Sequence, residues 1–421
     1  MREVIRPLRF VALAVLAVVT YHRALSAYFF DDDLQWLVGA WSFAPSNLWA
    51  LGRMEHFYRP VIELYFAVAT PVFGGSPVLF HAASIGMHVA NGLVLFACLH
   101  RLTRDVWYAW LASLFFVVQP GGIDAVAWVG ALGEPLGVLF GCSSLLSYLR
   151  WRESGRRLDR WLSWAAFAAA LLTHESSVVF LPLLLLIDWV RHVHVTAWDR
   201  VKAVAPYAVT TAAYLVIDLY INSRNYLVRE GHYAAGSHMA SNALRYIESM
   251  YVGRFDLLND VLVVSVLAAL LMAGTRRTRL AVLWMLLALM PFLPFTWANT
   301  SRYMYQPAIG LSMLLADGVL VLDRVLRART SVGVRALVVT TVAGLLVARS
   351  LLFAMHNVEQ FTARTDIYRR QAARIVETHG TLSSHSVVPA DTELKATLAY
   401  PFANALVSWV YRDPTITLEP Y

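Results

Sequence analysis

Cysteine and lysine are both scarce in this sequence of 421 residues. The two cysteines, Cys98 and Cys142, lie inside apolar segments, so neither a disulfide framework nor a zinc site is available. Because Lys202 and Lys395 are the only lysines, arginine supplies nearly every strong cation. A planar guanidinium suits bidentate phosphate binding, although an arginine-rich coding bias would produce the same excess.

Charged residues are also few. Asp, Glu, Lys and Arg make up 15% of the chain and hydrophobic residues 58%, with a mean hydropathy of +0.54, whereas about a quarter of a soluble domain is charged. No basic run interleaves with aromatics, so a nucleic-acid partner is not indicated. A glycine-rich phosphate loop and a fixed-period repeat are both lacking. The composition predicts an all-α polytopic membrane protein.

Apolar runs of the length that spans hydrocarbon recur from end to end. The predicted spans are 8–28, 78–100, 107–119, 135–149, 161–173, 177–190, 203–221, 257–274, 279–295, 303–322 and 335–355. No small-residue cleavage site follows the first run, so we interpret it as a retained span and not as a signal peptide.

The arginines predict the orientation. They occur before the first span and in alternate loops, at 101–104, 150–160, 191–202, 276–279 and 324–335. The short turns 119–134 and 174–176 contain no basic residue. The positive-inside rule therefore predicts an N-terminus inside and a C-terminus outside.

This orientation divides the chain into two predicted parts. Residues 1–355 form a transmembrane domain, in which 29–77 are a long first extracytoplasmic loop and 222–256 a second outer loop. Residues 356–421 form a small extracytoplasmic tail. Any chemistry must then be assembled from the outer loops and the outer halves of the helices.

A run of acidic side chains directly follows the first span. Three adjacent carboxylates, Asp31, Asp32 and Asp33, repel one another, which raises the pKa of at least one and supplies a candidate base. The alternative is a solvated acidic turn that ends the helix. Arg59 is either a phosphate or sugar contact, or an interfacial side chain that reaches the lipid headgroups.

Further polar residues lie within one predicted span. His81, His88 and Asn91 follow one another at i, i+7 and i+10 and so share a helix face. They either face a wet cavity or form hydrogen bonds between helices. Two histidines seven residues apart, without a third partner nearby, do not predict a metal site.

Two outer turns add more candidates. His174 and Glu175 form a very short turn, where an acid so near hydrocarbon is costly unless it is used or paired. Arg302 and Tyr305 open a later helix at its outer end, which places Arg302 to meet an anion at the membrane surface.

These features come in one order along the chain. The order is the acidic first loop, Phe80-His81 with His88 and Asn91, Gln119-Pro120 with Asp124 to Trp128, His174-Glu175, and Arg302-Tyr303-Met304-Tyr305-Gln306-Pro307 with Gly310. The pattern, over residues 8–325, resembles the GT-C superfamily of polyprenyl-phosphate-sugar-dependent glycosyltransferases. It is most similar to the membrane half of the TMTC-type O-mannosyltransferases and their bacterial relatives.

The resemblance implies a GT-C-like bundle of about eleven transmembrane helices and a role for each candidate. The family's acidic pair falls within Asp31–Asp33, and Asp32 is the favoured catalytic base. The residues implied to bind the donor and its phosphate are Arg302, Arg59, His174 and Tyr305. The residues implied to position the substrates are Glu175, His81, His88, Asn91, Glu134 and Asp124.

The sequence departs from the family pattern in three ways. Gln119-Pro120 stands where relatives have His-Pro, and Leu132 and Glu134 stand where relatives often carry an Arg followed by an Asp. No tetratricopeptide array, as in the TMTC proteins, appears in these 421 residues. The first two departures leave the details of donor binding open, and the third leaves the acceptor open.

The function that the resemblance implies is inverting transfer of a sugar from a polyprenyl-phosphate donor to a hydroxyl of a protein, lipid or glycan. Arginines neutralise the phosphate while an aspartate takes the acceptor proton. No cofactor or metal is expected, although adjacent aspartates could hold Mg²⁺ or Mn²⁺. We expect a bacterial plasma membrane, with the site facing the periplasm or exterior.

Two other classes of function stay open from the residues alone. A transporter or flippase of a lipid-linked or anionic substrate would also need polar residues within spans, but no inverted repeat and no paired broken helices appear. A non-catalytic scaffold would use the tail 356–421 to recruit a partner. Essential residues at the outer face would indicate a transferase, and at mid-bilayer a transporter.

Overall fold

The computed structural model describes residues 2–51, 57–191, 194–251, 253, 256–296 and 300–421. The first half of this part contains α1 (Arg2–Tyr21), α2 (Asp33–Trp41), α3 (Pro60–Phe73), α4 (Pro77–Thr103), α5 (Val106–Val117), α6 (Ile123–Ala127), α7 (Gly133–Ser154), α8 (Arg157–Leu171), α9 (Phe180–Arg191) and α10 (Ala197–Asn222). The second half contains α11 (Tyr226–Arg229), α12 (His238–Tyr251), α13 (Leu257–Ala273), α14 (Arg276–Leu289), α15 (Pro307–Arg327), α16 (Val332–His379), α17 (Thr392–Thr397) and α18 (Tyr400–Tyr411). Strands β1 (Val387–Val388) and β2 (Thr417–Leu418) pair in parallel.

Every predicted span coincides with a helix, but the helices differ in length. Five segments of the described chain are long and apolar enough to cross a membrane: Leu8–Ser26, Pro77–Thr103, Val129–Ser154, Ala197–Asn222 and Val332–His379. Helices α3, α5 and α13 are shorter and apolar. The chain is an integral membrane protein, while the number of crossings and their orientation stay predictions.

The last long helix differs most from its prediction. Helix α16 does not end near residue 355 but continues to His379, so residues 356–379 extend a span. Its buried positions Ala354, Val358, Phe361, Thr365 and Tyr368 recur every three or four residues, which is the pattern of a helix with one packed face. The helix ends at Gly380, whose φ of +58° favours glycine.

Residues after α16 pack onto the first loop. Leu406 of α18 lies in one apolar core with Leu34 of α2 and Phe66 of α3. The rings of Trp41 and Trp409 stack with centroids 5.3 Å apart. We call residues 380–421 the C-terminal cap, and it packs against the helix that begins at Asp33.

Candidate functional site

Charged side chains from distant parts of the chain meet beside the beginning of α2. Arg302, in the turn before α15, interacts electrostatically with Asp31, Asp32, Glu134 and Arg59. The positive charges of Arg59 and Arg302 both lower the pKa of His174. The structure therefore brings together the acidic loop, the outer turns and the arginines that the sequence singles out. We call this cluster the polar site.

Asp33 holds the loop of the polar site in place. Its side chain is fully buried; Oδ2 accepts the backbone N–H of Phe30 at 2.8 Å, and Oδ1 accepts the backbone N–H of Gly130. Position 130 must be glycine, because a Cβ there would lie 2.5 Å from Oδ1 of Asp32 and 2.9 Å from Oδ1 of Asp33. Burial first and the Asp32 carboxylate second raise the pKa of Asp33 well above its usual value.

Asp32 and Asp31 have different partners. Oδ1 of Asp32 is buried and accepts no hydrogen bond from the described residues. Burial raises the pKa of Asp32, and the Arg302 guanidinium partly opposes that rise. Asp31 adopts a φ of +46° and accepts a hydrogen bond from the Tyr368 hydroxyl of α16. Burial also raises the pKa of Asp31, against that hydrogen bond.

The guanidinium of Arg302 packs against two aromatic rings. Its guanidinium carbon lies 4.7 Å from the centroid of the Trp128 ring and 5.1 Å from that of Tyr303, and Nη2 donates to the Tyr303 hydroxyl at 3.3 Å. Within the described chain, Arg302 forms no ion pair with a carboxylate at 4.0 Å or less. Its charge is thus oriented by rings, and no carboxylate neutralises it directly.

Arg59, by contrast, forms an ion pair with a carboxylate. Its Nε and Nη2 donate to both carboxylate oxygens of Glu175 at 2.9 and 2.5 Å, a fork-to-fork pair. Burial opposes ionisation of Glu175, but Arg59 outweighs it and lowers the pKa of Glu175 to about 2. Two residues predicted for separate roles, donor binding and substrate positioning, therefore neutralise each other.

His174 lies against Glu134. The backbone N–H of Ser176 donates to Nδ1 at 3.2 Å, so the imidazole proton is on Nε2, which lies 3.5 Å from Oε1 of Glu134. Burial first and Arg59 second lower the pKa of His174 to about 3. The ring is therefore neutral at physiological pH, so it can donate a hydrogen bond but supplies no positive charge.

The predicted polar face of α4 forms hydrogen bonds between helices. Nε2–H of His88 donates to the Val117 carbonyl at 3.2 Å, so Nδ1 accepts the Tyr305 hydroxyl proton at 2.8 Å. Asn91 donates to that same hydroxyl at 3.0 Å and to the Pro135 carbonyl at 2.8 Å. His81 lies seven residues before His88 on the same face of the helix and is fully buried against the backbone of Tyr28. The contacts of His88 and Asn91 agree with the alternative in which this face forms hydrogen bonds between helices.

Helix α16 supplies site residues that the sequence analysis missed. Besides Tyr368, its Arg364 pairs with Oδ1 of Asp124 at 3.1 Å, and the backbone N–H of Asp124 donates to Ser301, next to Arg302. The only sequence signal for these residues is the helical spacing of apolar positions after residue 355. Within the described residues, no group of three or more His, Cys, Asp or Glu side chains could hold a metal ion.

The chain matches no protein-family model. Human protein O-mannosyl-transferase TMTC1 is 29% identical over 158 residues, which are 34% of this chain and 18% of the human protein. The mouse protein of the same name is 27% identical over 158 residues, 34% of this chain and 17% of the mouse protein. This chain thus spans less than a fifth of the curated relatives that it matches.

Solved structures show a similar fold. The oligosaccharyltransferase of Archaeoglobus fulgidus, tethered to an acceptor peptide with the NVT sequon, aligns with a TM-score of 0.56 and 11% identity, over 97% of this chain and 63% of that chain. Its complex with Zn and sulfate aligns with the same TM-score over 97% and 62%. The predicted resemblance is confirmed: this chain is homologous in part to the TMTC1 O-mannosyltransferases and shares its fold with an archaeal oligosaccharyltransferase, both of the GT-C glycosyltransferases.

Proposed function

We propose that this protein is an inverting glycosyltransferase that moves a sugar from a polyprenyl-phosphate donor to a hydroxyl acceptor on the extracytoplasmic face. One observation carries the proposal: an unpartnered, buried carboxylate oxygen of Asp32 lies in the field of the unpaired Arg302 guanidinium. Oε1 of Glu134 also lacks a hydrogen-bond partner, but it lies 3.5 Å from the His174 ring, whereas Asp32 has no ion-pair partner among the described residues. A buried carboxylate oxygen of this kind calls for a reason. A base beside a phosphate contact supplies that reason.

The proposed step is a single displacement. The acceptor oxygen attacks the anomeric carbon and forms the new glycosidic bond while the bond from that carbon to the phosphate oxygen breaks. The acceptor proton passes to Asp32. The electron pair of the broken bond stays on the lipid phosphate, whose charge Arg302 stabilises. No redox change and no co-reactant are required.

Donor binding would also activate the base. Arg302 lowers the pKa of Asp32 against the effect of burial. The single negative charge of a phosphodiester donor on the guanidinium cancels that positive charge, which raises the basicity of Asp32. The carboxylate becomes the stronger base when the leaving group is in place.

The other carboxylates have supporting roles in this proposal. Asp33 fixes the loop through backbone N–H groups, and Asp31 ties it to α16 through Tyr368. Glu134 faces the Nε2–H of His174, and we assign this pair to positioning the acceptor or the sugar. A divalent ion is not invoked, because both oxygens of Asp33 and one of Asp31 already accept hydrogen bonds.

The names of the relatives suggest the first substrates to try. TMTC1 is named a protein O-mannosyl-transferase, and the archaeal neighbour is tethered to an acceptor peptide. A mannosyl polyprenyl phosphate and a peptide with serine or threonine hydroxyls are therefore the first donor and acceptor candidates.

The test is transfer of labelled sugar by the purified full chain in lipid vesicles. We expect transfer from a polyprenyl-phosphate donor and its loss in Asp32→Asn, with donor binding retained. If no donor of this class yields product while labelled lipid-linked sugar crosses the bilayer, the chain is a transporter. If a chelator abolishes transfer and Mn²⁺ restores it, the site works through a metal and the metal-free step is wrong.

A further inference from the structure

A cavity of about 1060 Å³ opens at the far end of the bundle from the polar site. Helix α15 begins at Pro307, next to the polar site, and reaches Arg327 in the cavity wall 20 residues later. At 1.5 Å per residue this is about 30 Å, the thickness of a hydrocarbon core. The cavity therefore lies at the opposite membrane surface.

The lining of the cavity carries net positive charge, because its four arginines outnumber its three aspartates, of which the buried Asp317 accepts a hydrogen bond from Thr278. Asp105 pairs with Arg277 at 2.8 Å, and Asp323 pairs with Arg327 at 3.0 Å and with Arg335 at 3.3 Å. Arg276 and Arg324 also line the cavity and are exposed. Neither forms a hydrogen bond or ion pair with any described residue.

The inner wall of the cavity is apolar. Leu111 and Leu114 of α5 line it together with Val339, Ala343 and Val347 of α16, and we call this part of the lining the apolar slot. These three residues of α16 are four apart and share one helix face. Gly344 of α16 also lines the cavity, and a Cβ there would meet no atom within 4 Å.

An exposed tryptophan marks the depth of the mouth. Trp107 lines it at the start of α5 and is 52% exposed, and tryptophan at a helix end is typical of the membrane–water interface. Cationic headgroup contacts beside an apolar slot at that depth are the features of a site for an anionic lipid.

We propose that this cavity binds an anionic phospholipid, with its phosphate between Arg276 and Arg324 and one acyl chain between α5 and α16. The two unpaired arginines favour a lipid with a net negative charge over a zwitterionic lipid. The apolar slot favours a lipid with an acyl chain over free phosphate. The cavity volume lies just above the range for small-molecule sites, about 300–1,000 Å³.

Native mass spectrometry of the full chain, titrated with phosphatidylglycerol or phosphatidylcholine of equal chain length, tests the proposal. We expect phosphatidylglycerol to bind more tightly, and Arg276→Gln/Arg324→Gln to weaken it by about tenfold or more, to the level of phosphatidylcholine. Arg157→Gln is the matched control, because that arginine is exposed and lies outside the cavity. Equal binding of the two lipids, or unchanged binding by the double variant, would overturn the proposal.

A second variant tests the acyl-chain slot. Gly344→Leu places a side chain in the open space of the slot, and a mid-helix glycine is replaced by a better helix former, so folding should be retained. We expect weaker binding of phosphatidylglycerol. Gly333→Leu, at the first turn of α16 and outside the cavity, should bind it like the unmodified chain. If Gly344→Leu binds equally well, or inorganic phosphate displaces the lipid, the site is a simple anion site and the proposal is wrong.

Discussion

The three adjacent aspartates have unequal environments, so their Asp→Asn substitutions should differ. Asp32→Asn removes the proposed base and should cost about 10²–10⁴-fold in turnover with folding intact. Asp33→Asn places an amide N–H₂ against a backbone N–H of Phe30 or Gly130, which should destabilise the fold by about 1–3 kcal/mol. Turnover and the thermal midpoint separate the two effects. Equal retention of activity in all three variants would mean that the triplet is only a helix end.

Substitutions of Arg302 can separate the effect of its planar guanidinium from the effect of its charge. Arg302→Lys keeps the charge but loses the planar fork and the stacking on Trp128, so we expect weaker donor binding with partial turnover. Arg302→Ala should lose more of both. Donor titration and turnover of the two variants measure the difference. Wild-type behaviour in both would identify Arg302 as an interfacial anchor.

The pH dependence of turnover should report the Asp32–Arg302 pair. The base must be deprotonated, so turnover falls as the pH drops through the pKa of Asp32, which burial raises and Arg302 lowers. Arg302→Gln removes the lowering charge and should move the acid limb of the kcat profile to higher pH. Arg302→Lys should leave that limb nearly in place. If the acid limb of the Arg302→Gln profile did not move, Arg302 would not influence the pKa of the catalytic group.

The division of roles within the triplet is not readable from the sequence. Repulsion among carboxylates predicts a candidate base, but the two partners of Asp33 are backbone N–H groups, one of them Gly130 about a hundred residues away. Backbone donors carry no residue signature. The sequence predicts which side chains gather in the polar site, whereas the choice among them depends on local backbone geometry.

At the scale of elements, the Arg59–Glu175 pair connects the start of α3 with the turn before α9. Because it is bidentate and partly buried, a double-mutant cycle of Arg59→Gln and Glu175→Gln should give a coupling of about 2 kcal/mol in unfolding free energy. The pKa of Glu175 falls from 4.5 to about 2 on folding. This stabilisation is therefore complete above about pH 4.5 and is lost as the pH falls towards 2. If the effects of the two single substitutions simply added, the pair would contribute no coupling energy to folding.

The elements themselves were largely predictable, and the exception is informative. Apolar runs predict where helices lie because hydrocarbon imposes both composition and length. Once α16 passes residue 355, its exposed side is polar, so hydropathy no longer distinguishes it from a tail. Tyr368 and Arg364 were missed for that reason. The polar face of α4 was predicted from spacing, but its contact with Tyr305 requires the packing of two helices.

For the whole molecule, orientation is the main open prediction. Both native cysteines are buried, so single introduced cysteines can be labelled without background. If arginine bias sets the orientation, Gly155→Cys and Thr275→Cys should be shielded from impermeant reagent added outside. Ser46→Cys and Ala235→Cys should be labelled. Labelling at 155 from outside would contradict this orientation and would place the polar site on the other side of the membrane.

The unbroken length of α16 has a mechanical consequence. From Val332 to Tyr368 the helix runs about 54 Å without a proline, so it can act as a stiff lever whose lower part lies in lipid and whose upper part touches Asp31. A rotation of about 5° at its base would displace the upper end by about 5 Å, more than a hydrogen bond tolerates. Lateral pressure and bilayer thickness would then reach the acidic loop as motion.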